Sequence, residues 1–365
     1  RAGFNWKAQF RIRVARDRTR SYAMRKCRRM PLLALASALL LLVHSGRADG
    51  KPMMKAVVAH EYGAPEVLKF EEVPRPEPNG DEALVRVIAS SVNPADPLTL
   101  SGKYAKEFGT HLPLIPGYDI AGVIEKTGAD VTKLKVGDPV YGYPTFGGAW
   151  ADYVAVKEWE VAAKPKSLTF VESAAVPMGA LTAWQSLVDL AKLQSGQTIL
   201  IHGGSGGVGS FAIQIAKARG ARVIATASTA NQDLLKQLGA DVAIDYTKTK
   251  FEDVAKDVDA VLDPVGKDTL ARSYDVVKKG GIVMSLVAQP DPAELKKRGI
   301  RGASISSHPD AKDLAEIAQL IDAGKIKPIV TQVRPLSEAV AAQQQAATHH
   351  TRGKVVIRIA DDPKS

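Results

Sequence analysis

Ile199-Leu-Ile-His-Gly-Gly-Ser-Gly-Gly-Val-Gly209 is the stretch that decides the fold. An apolar strand comes first, glycines follow at the spacing G-x-G-x-x-G, and helical spacing runs from Val208 to Arg219. One glycine permits a tight turn, the next lets the backbone approach a ligand, and the last lets helix and strand pack closely. The pattern predicts a turn that binds the pyrophosphate of a dinucleotide at a helix N-terminus, the alternative being a loop that serves packing only. The candidate binding residues are Gly204, Ser205, Gly206, Gly207, Val208 and Gly209.

Short apolar strands alternate with helical stretches around this motif. The predicted strands are Thr198–His202, Arg222–Ala227, Val242–Asp245, Ala260–Asp263 and Ile282–Val287. Such alternation is typical of parallel βαβ units. We therefore expect an α/β domain over residues 174–326, with the doubly wound parallel sheet of the Rossmann type.

The flanking regions are richer in strands. Residues 54–173 contain short runs of alternating apolar and polar side chains, separated by proline and glycine, which predict a small β-rich domain. Residues 327–365 return to this character, with β-like runs at Pro328–Val333 and Lys354–Ile359 and a helix near Leu336–Ala347 between them. We expect these terminal strands to rejoin the first domain.

The positive charge of the chain is confined to its N-terminal segment. Residues 1–53 carry 13 Lys/Arg against 2 Asp, whereas residues 54–365 carry 36 Lys/Arg against 37 Asp/Glu. The remainder of the chain therefore has no electrostatic bias toward nucleic acid, and we expect no nucleic-acid partner. The one cysteine, Cys27, excludes a disulfide framework and a multi-thiolate zinc site.

Residues 1–53 have the character of a targeting segment or of a wrongly assigned start. From Met24 to Ala48 a basic stretch, an apolar run and small residues follow one another as in a secretory signal peptide. The apolar run is shorter than the roughly 20 residues that span a bilayer, so we expect no stable membrane insertion. The protein is exported to the periplasm if this signal is real and is otherwise cytoplasmic; an organellar transit peptide is the third interpretation.

The end of the second Rossmann strand indicates which dinucleotide is bound. A site for NAD places an acidic residue there to hold the ribose 2′-hydroxyl. Here the strand ends in Ala227-Ser228-Thr229, and no acidic side chain follows at once. Hydroxyl groups tolerate a 2′-phosphate that a carboxylate would repel, which favours NADPH, with Ser228 as a binding residue. In the alternative, Ser228 is an ordinary turn residue.

Several motifs in order make the chain similar to the quinone oxidoreductase/zeta-crystallin group of the zinc-type (medium-chain) dehydrogenase/reductase superfamily. The similar segments are Met54–Leu68, Ser91–Asp96, Ser101–Tyr104, Ile115–Val123, Gly179–Trp184, Gly196–Lys217 and Asp263–Gly266. The resemblance implies a GroES-like β-rich domain closed by the C-terminal strands, a Rossmann domain, and an active site between the two.

Residue types argue against catalysis by zinc in this sequence. Where the zinc-dependent branch of the superfamily has cysteine and histidine ligands, this chain has Asn93-Pro-Ala-Asp96 and Tyr118-Asp119. His349 and His350 are adjacent, and neighbours on a helix point about 100° apart, so they do not converge on one ion. Without a Lewis acid, hydride transfer from NADPH to a quinone or an α,β-unsaturated carbonyl is favoured over alcohol oxidation.

The resemblance also implies roles for individual residues. Tyr104 matches a tyrosine that lines the substrate cleft, and Asn93 and Asp96 match positions near the nicotinamide and substrate. Tyr246 matches a position near the 2′-phosphate, and Asp263 one near the nicotinamide ribose. Purely structural roles are the alternatives: packing for both tyrosines, turn positions for Asn93 and Asp263, and a helix-start charge for Asp96.

Two other functions remain open from the sequence. Relatives of zeta-crystallin bind NADPH without turnover, and loss of the cleft tyrosine and asparagine would favour that role; both residue types are present here. Reduction of an enoyl thioester is the other alternative. The expected partner is a small electrophilic acceptor, and the expected assembly is a homodimer.

Overall fold

The computed structural model describes residues 52–105, 109–346 and 351–363. The predicted signal at Met24–Ala48, Cys27 and the pair His349-His350 lie outside the described residues. Within the described ranges, no helix is both long enough and apolar enough to cross a bilayer.

Antiparallel strands make up the N-terminal part of the described chain. Their bounds are β1 Met53–Ala59, β2 Leu68–Pro74, β3 Glu82–Ser91, β4 Asp119–Thr127, β5 Pro139–Gly142, β6 Tyr153–Lys157 and β7 Val161–Ala163. Strands β1 and β2 form a separate two-stranded sheet. Strand β3 lies between β4 and β6 in the larger sheet and is buried along most of its length, which makes it the structural centre of this region.

Six parallel strands form the second large sheet. They are β8 Thr198–Ile201, β9 Arg222–Ala227, β10 Val242–Asp245, β11 Val258–Asp263, β12 Val277–Ser285 and β13 Arg301–Ser304. Their order across the sheet is β10-β9-β8-β11-β12-β13. The chain therefore adds β9 and β10 on one side of β8 and then crosses to its other side to add β11, β12 and β13. In open α/β sheets this change of side creates a crevice at the carboxyl ends of the two strands where it occurs, here β8 and β11, and ligands bind there. The doubly wound α/β fold expected from the sequence is confirmed.

The last two strands pair with the first domain. Strand β14 (Val330–Pro335) runs parallel to β15 (Lys354–Arg358), and β15 pairs antiparallel with β3. Six strands of the seven-stranded sheet have the order β14-β15-β3-β4-β5-β7. The seventh, β6, pairs with residues 82–86 of β3, whereas β15 pairs with residues 89–91. The C-terminal strands β14 and β15 therefore share one sheet with strands β3 to β7.

Short helices connect and cover the strands. Their bounds are α1 Ala95–Leu100, α2 Phe170–Ala174, α3 Pro177–Trp184, α4 Gly209–Ala218, α5 Gln232–Gln237, α6 Phe251–Val254, α7 Lys267–Ser273, α8 Pro292–Arg298, α9 Ala311–Asp322 and α10 Ala339–Ala346. A π-helical segment at Gln185–Leu190 extends α3, and 3-10 turns lie at Pro65–Val67, Glu158–Glu160, Thr229–Asn231 and Leu336–Glu338.

One apolar core joins the two large sheets. It contains Ile88 and Tyr141 from the antiparallel sheet together with Ile199 and Phe211 from the parallel region. The fully buried Tyr141 donates its hydroxyl to the carbonyl oxygen of Leu314 at 2.6 Å, which satisfies the one polar group that it carries into the core. Helix α3 lies in this core with every residue buried.

Three elements differ from the expectation. The strand expected at Ile282–Val287 begins earlier, at Val277. Its first part contains the polar residues Lys278 and Lys279, which do not fit the apolar pattern used to predict a strand. The helix expected at Leu336–Ala347 starts as a 3-10 turn and becomes α-helical at Ala339. Strand β13 was not predicted, because Arg301-Gly-Ala-Ser304 has no apolar alternation; pairing with β12 alone makes it a strand.

Candidate active site

The turn between β8 and α4 has the packing that its glycines predicted. A Cβ on Gly209 would lie 2.3 Å from the carbonyl oxygen of Gly203, and one on Gly204 would lie 2.7 Å from the Leu235 side chain. A Cβ on Gly206, in contrast, would meet only that same Gly203 oxygen, at 3.3 Å, within 4 Å. The outer glycines therefore close the helix against the strand, whereas Gly206 faces open space where a ligand can approach.

The backbone of this turn also offers hydrogen-bond donors. The N–H groups of Gly207 and Val208 donate to no acceptor in the described part of the chain. They precede the ten-residue helix α4, whose N-terminus carries a partial positive charge. Unpaired donors, a helix N-terminus and space beside Gly206 together fit the pyrophosphate of a dinucleotide.

Hydroxyl and amide groups surround the end of β9. Ser228 accepts a hydrogen bond from Asn231 Nδ2 at 3.2 Å, and Gln232 Nε2 donates to the carbonyl oxygens of Ala227, Ser228 and Ile244, which fixes the loop. Tyr246, at the end of β10, is 56% exposed, which argues against a core-packing role. Ser228 and Tyr246 lie at the ends of neighbouring strands, since Ala227 pairs with Asp245.

An acidic side chain that sequence reasoning passed over lies at this edge. Asp245 accepts hydrogen bonds from Thr229 Oγ1 at 2.6 Å and Thr247 Oγ1 at 2.7 Å, and Lys248 Nζ lies 3.5 Å from it. These hydroxyl donors hold the pKa of Asp245 down at about 2. Because Asp245 ends the third strand of the sheet rather than the second, the rule used to find a ribose-binding acid did not reach it.

Asp263 is fully buried at the end of β11 and binds its own turn. Its Oδ1 accepts from the N–H groups of Val265 at 2.9 Å and Gly266 at 3.0 Å. Burial raises its pKa, against the effect of these donors. The carboxylate therefore shapes the loop 263–266 beside the crevice, and any contact with a nucleotide ribose would come through that loop.

Four buried side chains, named here the Asp119 cluster, meet where the two large sheets adjoin: Ser91, Asn93, Asp119 and Lys354. Asp119 Oδ2 accepts from Ser91 Oγ at 2.5 Å, from Asn93 Nδ2 at 2.8 Å and from Lys354 Nζ at 3.1 Å. Its Oδ1 accepts from the backbone N–H of Met178, the second residue of α3, at 2.7 Å. One buried carboxylate thus ties β3, β15 and α3 together.

Asp96, three residues beyond Asn93, serves the backbone of the same region. Its Oδ2 accepts from the N–H of Asn93 at 2.7 Å, and its Oδ1 accepts from the N–H of Gly117 at 2.9 Å. Burial raises the pKa of Asp96 to about 7, although both backbone donors oppose this shift. The geometry assigns Asp96 to holding the two segments that carry Asn93 and Asp119 in register.

Tyr104 lies in the turn that follows α1, half-buried, with Lys103 Nζ 5.2 Å from the centre of its ring. Thr99 of helix α1 is hydrogen-bonded to Tyr118, with Oγ1 and Oη 2.5 Å apart. Because Tyr118 directly precedes Asp119, this bond holds α1 next to the Asp119 cluster. Burial raises the pKa of Tyr118 to about 12, so its hydroxyl stays protonated at neutral pH. The ring of Tyr118 packs edge-on against Tyr143, with centroids 6.0 Å apart.

The structure brings eight of the predicted residues together in two groups. The turn residues 204–209 lie at the carboxyl end of the parallel sheet, and Asn93 and Asp96 lie beside Asp119. The two groups are joined by residues that sequence reasoning missed: Gly353 donates its N–H to the carbonyl oxygen of Ser205 at 2.9 Å, and Lys354 reaches the cluster. A lone lysine at the start of an apolar strand gave no signal of this role.

The donor set at this place does not resemble a zinc site. Within residues 52–105, 109–346 and 351–363, no group of three or more His, Cys, Asp or Glu side chains is arranged to hold a metal ion. At the positions where the zinc-dependent branch has its ligands, Asn93, Asp96 and Asp119 already accept hydrogen bonds from backbone, amide and ammonium groups. The fold and this site define the class of a dinucleotide-dependent oxidoreductase.

Comparison with known proteins agrees with that class. The alcohol dehydrogenase GroES-like domain model matches residues 79–166, and the zinc-binding dehydrogenase model matches residues 238–357. A 2-methylene-furan-3-one reductase from Solanum lycopersicum is 39% identical over 90% of this chain and 85% of its own. An NADPH-dependent alkenal/one oxidoreductase from Arabidopsis thaliana is 39% identical over 83% and 79%.

Solved structures give the same answer. The quinone oxidoreductase from Coxiella burnetii superposes with a TM-score of 0.78 at 34% identity, over 84% of this chain and 100% of that one. The chain belongs to the zinc-type medium-chain dehydrogenase/reductase superfamily, in its quinone oxidoreductase/zeta-crystallin-like group. The family expected from the sequence motifs is confirmed.

Proposed function

We propose that this protein transfers hydride from NADPH to a quinone or an α,β-unsaturated carbonyl without zinc. The observation that carries the proposal is the Asp119 cluster. A buried ammonium, that of Lys354, lies 3.1 Å from the carboxylate at the place where a zinc-dependent relative would hold its metal. A second cation of twice the charge at this point would meet strong repulsion.

A reaction without zinc restricts the class of acceptor that the protein can use. An alcohol needs its hydroxyl activated before it can lose hydride, whereas a quinone or enone is already electron-poor. The bound nucleotide supplies the hydride, and the protein supplies orientation and polarisation of the acceptor oxygen. The printed names of the relatives, an alkenal/one oxidoreductase and a quinone oxidoreductase, support these two acceptor classes.

Each part of the chain then has a distinct task. The turn at residues 204–209 holds the pyrophosphate through its backbone N–H groups. Tyr104 donates a hydrogen bond to the acceptor oxygen, where negative charge develops. Asn93 and Asp96 keep the cleft in shape beside the acceptor through their buried hydrogen bonds. Water protonates the α-carbon after hydride arrives.

We propose NADPH rather than NADH as the physiological donor. Ser228, Thr229 and Asn231 present hydroxyl and amide groups at the end of β9, and Tyr246 is exposed at the neighbouring strand end. Lys248 is a cation close to this edge, where it balances Asp245. The NADPH dependence stated in the name of the Arabidopsis relative supports this preference.

The test is NADPH oxidation by purified protein, before and after chelation, with a panel of quinones, alkenals, enones and one enoyl thioester. Turnover of a quinone or enone that survives chelation is the expected result. NADPH binding with no turnover of any acceptor would favour the non-catalytic, zeta-crystallin-like role. Preferred turnover of the enoyl thioester would reassign the substrate class.

We also propose export through the signal at Met24–Ala48 and assembly as a homodimer. N-terminal sequencing of mature protein from its host, together with sedimentation, tests both. A mature chain that still carries the Met24–Ala48 segment contradicts export, and a monomer at assay concentration contradicts the dimer.

A further inference from the structure

Lys354 is a buried cation with three acceptors. Its side chain is 5% exposed, and its Nζ donates to the carbonyl oxygen of Val92 at 3.0 Å, to Asn93 Oδ1, and to Asp119 Oδ2 at 3.1 Å. An ammonium has three protons to donate, so all three are used. Burying a charge is costly unless it is paired and fully hydrogen-bonded, and this one meets both conditions.

The ammonium fixes the orientation of the Asn93 amide. Because Oδ1 accepts from Lys354, Nδ2 must point the other way, where it donates to Asp119 Oδ2 at 2.8 Å. Rotating the amide by 180° would place its NH₂ against an ammonium and its oxygen against a carboxylate. Asn93 is 3% exposed, so water cannot replace either partner. Lys354 and Asp119 together therefore allow a single arrangement at this position.

The stem of Lys354 connects the Asp119 cluster to the phosphate-binding turn. A Cβ on Gly207 would lie 3.1 Å from Lys354 Cδ, so the stem lies against the turn. The preceding residue, Gly353, donates to Ser205 within that turn. Gly353 has φ of +56°, and a Cβ there would lie 2.2 Å from the carbonyl oxygen of Ile329. This position therefore favours glycine. Its close packing and its hydrogen bond to Ser205 hold the backbone that carries the Lys354 side chain.

We propose that Lys354 is a positioning residue: it holds Asn93 in one orientation, neutralises Asp119, and ties the acceptor cleft to the nucleotide-binding turn. The inference rests on the proposed function, because the consequence of misplacing Asn93 is slower hydride transfer. Lys354 acts through Asn93 and Asp119 and need not touch the acceptor itself. Its charge also compensates the Asp119 carboxylate, which would otherwise attract the positive ring of an oxidised nicotinamide bound in the cleft.

The first test is a double-mutant cycle on turnover. Lys354→Met keeps the length of the stem and removes the charge, so we expect kcat to fall about tenfold while the Kd for NADPH changes less than threefold. Asn93→Ala should lower kcat by a similar factor. If Lys354 acts through Asn93, the double variant is at most about twofold slower than the slower single variant. Effects on kcat that multiply would overturn the proposal.

The second test needs no turnover. NADP⁺ carries a positive ring that NADPH lacks, so an unpaired Asp119 carboxylate in Lys354→Met should tighten NADP⁺ binding. We expect the ratio of the Kd for NADP⁺ to that for NADPH to fall at least threefold, and to return to the wild-type value in Lys354→Met/Asp119→Asn. An unchanged ratio contradicts the charge role, even if the wild-type protein reduces no acceptor and the proposed function fails.

Matched controls separate these effects from a loss of folding. Lys217→Met removes a lysine from the exposed pair with Asp241 at 2.9 Å and should leave kcat and both Kd values unchanged. If Lys354→Met does not fold, Lys354→Met/Asp119→Asn removes both charges and avoids a lone buried carboxylate. That variant should still show the tenfold loss of kcat, and a wild-type kcat in it would overturn the role of Lys354.

Discussion

The Lys354 side chain contacts both the phosphate-binding turn and the Asp119 cluster. The turn is formed by backbone, whereas the cluster is formed by side chains. The turn consists of backbone from the six consecutive residues 204–209, and its function depends on glycines, which have no side chain to obstruct a ligand or the packing of helix on strand. The cluster consists of side chains from residues 91, 93, 119 and 354, each buried and each satisfied by another member. Adding atoms should therefore damage the turn, and removing atoms should damage the cluster.

This contrast predicts its largest effect at Gly206. Gly206→Ala has room in the protein itself, because the new Cβ would meet a single oxygen at 3.3 Å, but it projects into the space that the pyrophosphate needs. We expect the Kd for NADPH to rise about 100-fold while the free energy of unfolding changes by less than about 1 kcal/mol. Fluorescence titration and urea unfolding measure the two quantities.

Gly80→Ala is the control for Gly206→Ala. Its Cβ would meet only the end of the flexible Asp130 side chain, away from both regions, so NADPH affinity should stay unchanged. If Gly206→Ala binds NADPH as tightly as the wild type, the turn does not hold the pyrophosphate as described.

Tyr104→Phe tests the cleft by removal of one atom. The phenol is proposed to stabilise the oxygen on which charge develops, and a donor of this kind contributes about 10²–10³ in rate where it is a main stabiliser. Because water can still protonate the α-carbon, we expect kcat to fall roughly tenfold or more, with the Kd for NADPH unchanged. An unchanged kcat would mean that Tyr104 only packs, and complete loss in a folded protein would make it an obligatory acid.

The same contrast explains what the sequence could and could not predict. The turn was predictable because glycine spacing encodes backbone geometry locally, and the parallel sheet was predictable because strands alternate with helices along the chain. The cluster was predictable only in part. Asn93 and Asp96 came from the family resemblance, whereas Lys354 lies 261 residues beyond Asn93 and gave no local signal. Their meeting depends on β15 pairing with β3, which no short motif specifies.

A smaller effect is expected at the adenosine end of the nucleotide site. Ser228→Asp places a carboxylate at the end of β9, where it would repel a 2′-phosphate and accept from a ribose 2′-hydroxyl. We expect the preference for NADPH over NADH to fall about tenfold, as measured by the ratio of the two Kd values. Ser228→Asn, of similar size without the charge, is the control. No change with Asp, or tighter NADH than NADPH in the wild type, would contradict the assignment.

Two buried titratable groups, one beside each region, should make the stability respond to pH in opposite directions. Burial lowers the pKa of His202, which precedes the turn, to about 4, and repulsion from Arg272 adds to this. The unfolded chain therefore binds more protons between pH 4 and 6.5, and stability falls as the pH falls through that window. Asp96, with a pKa raised to about 7, acts in the other direction, since the native state binds more protons.

A variant isolates the histidine from this opposing effect. Between pH 7.5 and 5.5, the wild type should lose about 1 kcal/mol more unfolding free energy than His202→Gln, measured in urea. His60→Gln is the control, since His60 is exposed beside Glu71. Equal pH dependence in the wild type and His202→Gln would show that His202 is not held neutral below the turn.

The destination of the hydride tests the central proposal most directly. Protein treated with a chelator is given NADPH deuterated at C4 and an enone, and the product is analysed by NMR. The account predicts a saturated ketone with one deuterium on the former β-carbon, formed at the same rate with and without chelation. Deuterium on the carbonyl carbon of an allylic alcohol, with activity that chelation removes and zinc restores, would contradict it.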